Sequence, residues 1–128
     1  MTAAIVRWFP GEAAAVGLAR EWLSGLLAPL PVLGDAVIVV SELAANALTH
    51  TASARGGYTV AVCHTGPHRL RLLVSDLGAR TAPMLGAPDA DCEFGRGLHI
   101  VAALATRWGV STHDGGRTVW VELAWEPE

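Results

Sequence analysis

Residues 35–50 read DAVIVVSELAANALTH, and this stretch decides how the rest of the chain can fold. Its apolar side chains continue around almost the whole helical circumference, which is typical of a helix buried on most sides. Glu42, Asn46 and His50 interrupt the pattern, and their spacing of four residues places them in one narrow stripe. Because a buried carboxylate without a partner is costly, the stripe predicts either a ligand-binding site or a partly exposed helix edge with an internal Glu–Asn hydrogen bond.

The segments on either side of this helix supply a sheet that can cover it. Helix composition also occurs in residues 12–27 and 98–105, and strand composition in residues 5–9, 58–64, 70–75, 108–113 and 118–125. Asp114-Gly115-Gly116 predicts a hairpin between the last two strands. The order therefore predicts an α+β fold, a two-layer α/β sandwich whose mixed, mostly antiparallel sheet is covered on one face by three helices. The 128 residues fit a single domain, 1–128.

Composition and charge argue against several classes of function. The net charge is −3 and no basic run occurs, so we expect no direct binding to a nucleic-acid backbone. No apolar run approaches the ~18 residues of a membrane span, and Arg7 and Trp8 interrupt the stretch where a signal peptide needs apolar residues. Cys63 and Cys92 form no C-x-x-C motif. We therefore expect a cytoplasmic protein with reduced thiols and no membrane partner.

A carboxylate follows the apolar face of the third predicted strand. Leu70, Leu72 and Val74 share that face with Asp76, and Gly78 comes two residues later. The carboxylate accepts hydrogen bonds, for example from the amino group of adenine, and the glycine lets backbone approach a ligand closely. An ordinary Asp-x-Gly turn is the alternative interpretation.

A glycine-rich segment precedes the third predicted helix. Gly95, Arg96 and Gly97 lead into an apolar run that begins at Leu98. Backbone N–H groups at a helix start attract phosphate, and an arginine adds a charge-assisted contact. The segment is neither a Walker A loop nor the glycine motif of dinucleotide-binding folds. A flexible loop that ends in a glycine cap is the alternative.

Four segments, taken in order, resemble the conserved boxes of the GHKL ATP-binding proteins, which share the Bergerat fold. Residues 40–50 (VSELAANALTH) resemble their N box, residues 74–78 (VSDLG) their G1 box and residues 95–101 (GRGLHIV) their G2 box. Residues 116–120 (GRTVW) resemble the last strand, where the family carries a threonine near the adenine site. The resemblance spans residues 7–123 and is closest to the free-standing anti-sigma-factor serine kinases, with their histidine kinase-like ATPase domain.

The resemblance implies a catalytic residue and a metal ligand in the first box. Glu42 would act as the general base, and Asn46 would ligate Mg²⁺. His50, at the end of the same stripe, would contact a phosphate of ATP. The implied cofactors are therefore ATP and Mg²⁺.

The other boxes imply a nucleotide pocket with a lid. Asp76 would accept a hydrogen bond from the adenine amino group, helped by Gly78 and, through water, by Thr118. The lid is a loop at about residues 79–95. The segment that would close over the phosphates consists of Gly95, Arg96, Gly97 and Leu98.

The resemblance also implies a function and partners. The expected protein is an ATP-binding regulator, a serine/threonine protein kinase of the anti-sigma-factor type. It would phosphorylate an antagonist protein and sequester a sigma factor in transcription regulation, with a homodimer as a further expectation. A nucleotide-dependent binding module without catalysis is the alternative. A small α+β interaction domain that binds no nucleotide is a third reading.

Three features depart from the family pattern. Ala45 stands where many relatives carry threonine, and Phe94 stands where many carry another glycine. Strand alternation places Thr118 on the face of Trp120 and opposite Val119. A sheet covered on both sides, or a bulge, would reconcile that alternation with a threonine in the adenine site.

Overall fold

The structure is a computed structural model that describes residues 4–50, 56–76, 98–113 and 116–127. Residues 98–104 are helical and are called α3. The other elements are, in chain order, β1 (Ile5–Phe9), α1 (Ala14–Leu27), α2 (Leu33–His50), β2 (Tyr58–Gly66), β3 (Arg69–Asp76), β4 (Arg107–His113) and β5 (Gly116–Ala124). The predicted α+β class is confirmed, with helix and strand boundaries that differ from the predicted ones by a few residues.

The strands form one five-stranded sheet in the order β1-β2-β3-β5-β4. Every described pair of neighbouring strands is antiparallel, so this sheet is antiparallel and not mixed as predicted. The hairpin strand β5 lies beside β3 and leaves β4 at the edge. As a result, the end of β3 and the start of β5 meet at one end of the sheet.

The core lies between the helices and one face of the sheet, called here the inner face. Alternation along β3 directs Leu70, Leu72 and Val74 to this face, where they are buried. The buried residues of α1 recur every four positions and form one apolar stripe: Ala15, Ala19, Leu23 and Leu27. Val101 of α3 is buried in the same core. The predicted two-layer arrangement therefore follows from one apolar face per element.

Helix α2 is buried on fewer sides than its sequence predicts. Val39, Val40 and Ala44 are buried, but Ile38 is 45% exposed and Ala45 is exposed as well. The reason is that α2 packs on α1 and on the sheet, and these two neighbours leave a third side to solvent. The helix also begins at Leu33, so that Asp35 lies within the first turn, where a carboxylate interacts favourably with the helix dipole.

The opposite face of the sheet, called here the outer face, carries an ion cluster around Glu122. Oε2 of this nearly buried carboxylate accepts hydrogen bonds from Nη2 and Nε of Arg71, at 2.6 and 3.2 Å. Nε of Arg107 lies 3.6 Å from Oε1. The guanidinium groups of Arg71 and Arg107 both lie over the Trp120 ring, with their Cζ atoms 4.6 and 5.7 Å from the ring centroid. The hydrogen bond from Arg71 lowers the pKa of Glu122 and outweighs the opposing effect of burial.

This cluster predicts a pH-dependent contribution to stability. Because the folded-state pKa lies below the usual 4.5, Glu122 stabilises the fold above that pH, and its contribution is lost as pH falls through the lowered pKa. Glu122→Gln should therefore lower the free energy of unfolding by about 1–3 kcal/mol at neutral pH. Urea unfolding should show this difference shrinking well below pH 4.5. Glu21→Gln on exposed α1 surface is the control, and equal stability of both variants at neutral pH would contradict the account.

Candidate functional site

The end of β3 carries a buried carboxylate that β5 holds in place. Asp76 continues the inner row of β3 and is 5% exposed. Its Oδ1 accepts a hydrogen bond from the backbone N–H of Arg117 at 3.2 Å, and its Oδ2 lies 3.7 Å from Nε of the same residue. These contacts arise because the strand register pairs the two residues directly. An ionised carboxylate has further lone pairs, so Asp76 can accept an additional hydrogen bond from a ligand.

The strand register answers the question of where Thr118 lies. Pairing of β3 with β5 runs without interruption, and it sets Thr118 opposite Ser75, whose Oγ lies 2.7 Å from Thr118 Oγ1. Paired residues share a face, so Thr118 lies on the outer face and Asp76 on the inner face. The side chains of these two residues therefore lie on opposite faces at the same end of the sheet, and the contribution of Thr118 to the adenine site through water stays a prediction.

Asn46 and Glu42 lie one turn apart on α2, and α2 packs on the strand that ends in Asp76. The Nδ2 atom of Asn46 is buried and has no hydrogen-bond partner among the described residues. A buried polar atom left without a partner costs about 1–3 kcal/mol, and the nitrogen and oxygen of an amide are interchangeable by a flip. A metal ion bound to the amide oxygen, or a phosphate that accepts a hydrogen bond from the amide nitrogen, would supply the missing partner.

Glu42 is only partly buried. The structure places it at intermediate exposure, which fits the partly exposed helix edge that the sequence predicts as one of two alternatives. Its position follows from the open third side of α2. A partly exposed carboxylate can be reached from solvent.

Two residues beside Asp76 were missed by sequence reasoning. Arg117 contacts its carboxylate, and Tyr58 is its neighbour on the other strand, β2. Tyr58 is fully buried, and its hydroxyl has no partner among the described residues. Burial raises the pKa of this hydroxyl, so Tyr58 stays protonated and is a donor. Only the strand register could reveal either residue, because their separation along the chain from Asp76 gives no signal.

The remaining predicted site residues fall mainly outside the described part of the chain. Gly78, Gly95, Arg96, Gly97 and the lid at about 79–95 lie outside the described residues. The backbone of His50 ends α2, but its side chain is also outside. Leu98 is described, and it lies in α3 as a half-buried residue packed against the core.

Comparison with known proteins places this geometry in a family. The family model of the histidine kinase-like ATPase domain matches residues 9–123. The chain belongs to the histidine kinase-like ATPase family. The match runs from the last residue of β1 into β5, so it includes α2, the end of β3 and the β3–β5 pairing. The resemblance to the GHKL proteins is thereby confirmed.

A solved structure supports the same fold for this chain. The crystal structure of the RsbU and RsbW domains of Rv1364c from Mycobacterium tuberculosis aligns with a TM-score of 0.71 at 22% sequence identity. The alignment covers 96% of this chain and 32% of that one, so the chain spans about a third of its length. A search among curated proteins finds no match. Across the described residues, no helix combines the length and the apolar character needed to cross a membrane.

Proposed function

We propose that this chain is a magnesium-dependent ATP-binding regulator that transfers the γ-phosphate of ATP to a serine or threonine of a small antagonist protein. The observation that carries the proposal is the packing of α2, with Glu42 and Asn46, on the strand that ends in the buried carboxylate of Asp76. Membership of the histidine kinase-like ATPase family supports ATP as the nucleotide.

Asp76 would recognise the purine base. Its carboxylate lies in an apolar row and can accept an additional hydrogen bond, which suits the amino group of adenine. Gly78 would allow the backbone to approach the base, as the family resemblance implies. The segment Gly95, Arg96, Gly97 and Leu98 would contact the phosphates, with the lid at about 79–95 over them and His50 on the other side.

Glu42 and Asn46 would act on the reacting groups. Asn46 would hold Mg²⁺ through its amide oxygen, a ligand that adds no charge. The bound Mg²⁺ would neutralise developing charge on the phosphates. Glu42, one turn earlier and partly exposed, would accept the proton of the attacking hydroxyl group. This division of roles places the base where a second protein can reach it.

The proposed partners follow from the same comparisons. The sequence resembles the anti-sigma-factor serine kinases, and the aligned solved structure contains an RsbW domain. We infer that the partners are an antagonist protein, which is the phosphate acceptor, and a sigma factor, which is held when the antagonist is phosphorylated. Such a regulator would act in the cytoplasm, and a homodimer would present two equivalent sites.

A nucleotide-dependent binding module without catalysis is the second candidate. One observation favours it: Glu42 lies at intermediate exposure, whereas the carboxylate of Asp76 is held by the backbone N–H of Arg117. Such a module would use ATP only to set its affinity for a partner protein.

Transfer of labelled γ-phosphate separates the two candidates. The chain is mixed with γ-labelled ATP, Mg²⁺ and a set of small antagonist proteins, and any phosphorylated residue is located by mass spectrometry. The proposal predicts label on a serine or threonine of one antagonist, abolished by a chelator of Mg²⁺. Nucleotide binding without transfer to any antagonist would contradict the kinase and support the module.

A further inference from the structure

Arg117 reaches the carboxylate of Asp76 with two different groups. Its backbone N–H donates the direct hydrogen bond to Oδ1 at 3.2 Å. Its guanidinium lies 3.7 Å from Oδ2, which is an ion-pair distance but too long for a hydrogen bond. The two side chains are 17% and 6% exposed, so this ion pair is shielded from water. The backbone contact orients the carboxylate, and the guanidinium places a positive charge beside it.

The charge state of Asp76 decides which purine it can accept. An ionised carboxylate is an acceptor only, whereas a protonated one also donates. Burial alone favours the protonated form, and a neighbouring cation favours the ionised form. With the purine in one orientation, a 6-amino group presents a donor to Asp76 and a 6-oxo group presents an oxygen. The ionised form therefore favours the amino purine, and the protonated form loses that preference.

We propose that Arg117 is a positioning residue that keeps Asp76 an oriented, acceptor-only group and thereby makes the site select a 6-amino purine over a 6-oxo purine. The inference rests on the proposed function, because it assumes that Asp76 faces the base. Arg117 itself need not contact the nucleotide. The positive charge of Arg117 also offsets the repulsion between the Asp76 carboxylate and a polyanionic ligand.

Substitution of the side chain separates the two contacts. Arg117→Met removes the guanidinium but keeps the backbone N–H and an apolar stem of similar shape. Arg117→Lys keeps the cation and serves as the conservative rescue. Arg107→Met is the matched control, because Arg107 lies on the outer face, 67% exposed, and contacts Glu122 instead. Should Arg117→Met not fold, Arg117→Gln also removes the charge and carries the same comparison.

The readout is the ratio of the Kd for inosine triphosphate to the Kd for ATP, measured by calorimetry with Mg²⁺. The wild type and Arg107→Met should prefer ATP by at least about tenfold, which is the effect expected of one charge-assisted hydrogen bond. Arg117→Met should reduce the preference to within about threefold of unity, and Arg117→Lys should restore most of it. The ratio is informative because loss of a purely structural residue would weaken the binding of both nucleotides by the same factor and leave the ratio unchanged.

One result would overturn the inference: a preference for ATP in Arg117→Met equal to that of the wild type. If the affinities for both nucleotides fall equally while that preference stays the same, Arg117 is a structural residue only. Failure of the wild type to bind ATP is a different result, because it would overturn the proposed function on which this inference rests.

Discussion

Glu42→Ala is expected to slow phosphate transfer about 10²–10⁴-fold, the usual contribution of a general base. The affinity for ATP should stay close to that of the wild type, because Glu42 is one turn away from the proposed metal ligand and is only partly buried. Alanine is a strong helix former, so the substitution should not disturb α2. Initial rates of labelled-phosphate transfer to the antagonist, with calorimetric ATP affinity beside them, provide the measurement.

Two controls make the Glu42 result specific. Glu42→Gln keeps the shape and polarity of the side chain but cannot accept the proton, so its rate should fall as far as that of Glu42→Ala. Glu21→Ala removes an exposed carboxylate from α1 and should leave the rate unchanged. A Glu42 variant that transfers phosphate at the wild-type rate would show that the base is another group.

Asp76→Asn is expected to weaken ATP binding about 10–150-fold, because a charge-assisted hydrogen bond contributes about 1.5–3 kcal/mol. The substitution keeps the volume of the side chain but removes its charge. It also leaves the guanidinium of Arg117 without the carboxylate that it faces at 3.7 Å. Calorimetric titration with ATP and Mg²⁺ measures the affinity, and thermal unfolding checks that the variant keeps its fold.

A carboxylate at the start of α2 controls for charge. Asp35→Asn makes the same chemical change in the first turn of α2, and its ATP affinity should equal that of the wild type. If Asp76→Asn folds and binds ATP as tightly as the wild type, the assignment of Asp76 to the adenine amino group is wrong.

Local patterns predict much of the fold because elements such as β3 and α1 have one apolar face. The period of two along β3 and the spacing of four along α1 assign those residues to the core without knowledge of their neighbours. The Gly-Gly hairpin signal likewise joins β4 and β5, which pair as predicted. Strand order is different, because nothing in the local pattern states that β5 pairs with β3.

The site is less predictable because it depends on contacts between elements. Asp76 is identified correctly as the buried end of an apolar row. The register that pairs it with Arg117 also sets Thr118 on the other face, and only strand pairing contains that information. The partial exposure of Glu42 likewise depends on which sides of α2 its neighbours leave open, and the sequence of the helix alone does not specify them.

Titration calorimetry of the wild-type chain with ATP and with ADP, each with and without Mg²⁺, tests directly whether α2 and the end of β3 form a nucleotide site. We predict one nucleotide bound per chain, with ATP affinity that falls when Mg²⁺ is withdrawn. At roughly millimolar nucleotide, even a binding free energy of about −4 kcal/mol gives a detectable signal. If neither nucleotide binds at that concentration, the account is contradicted.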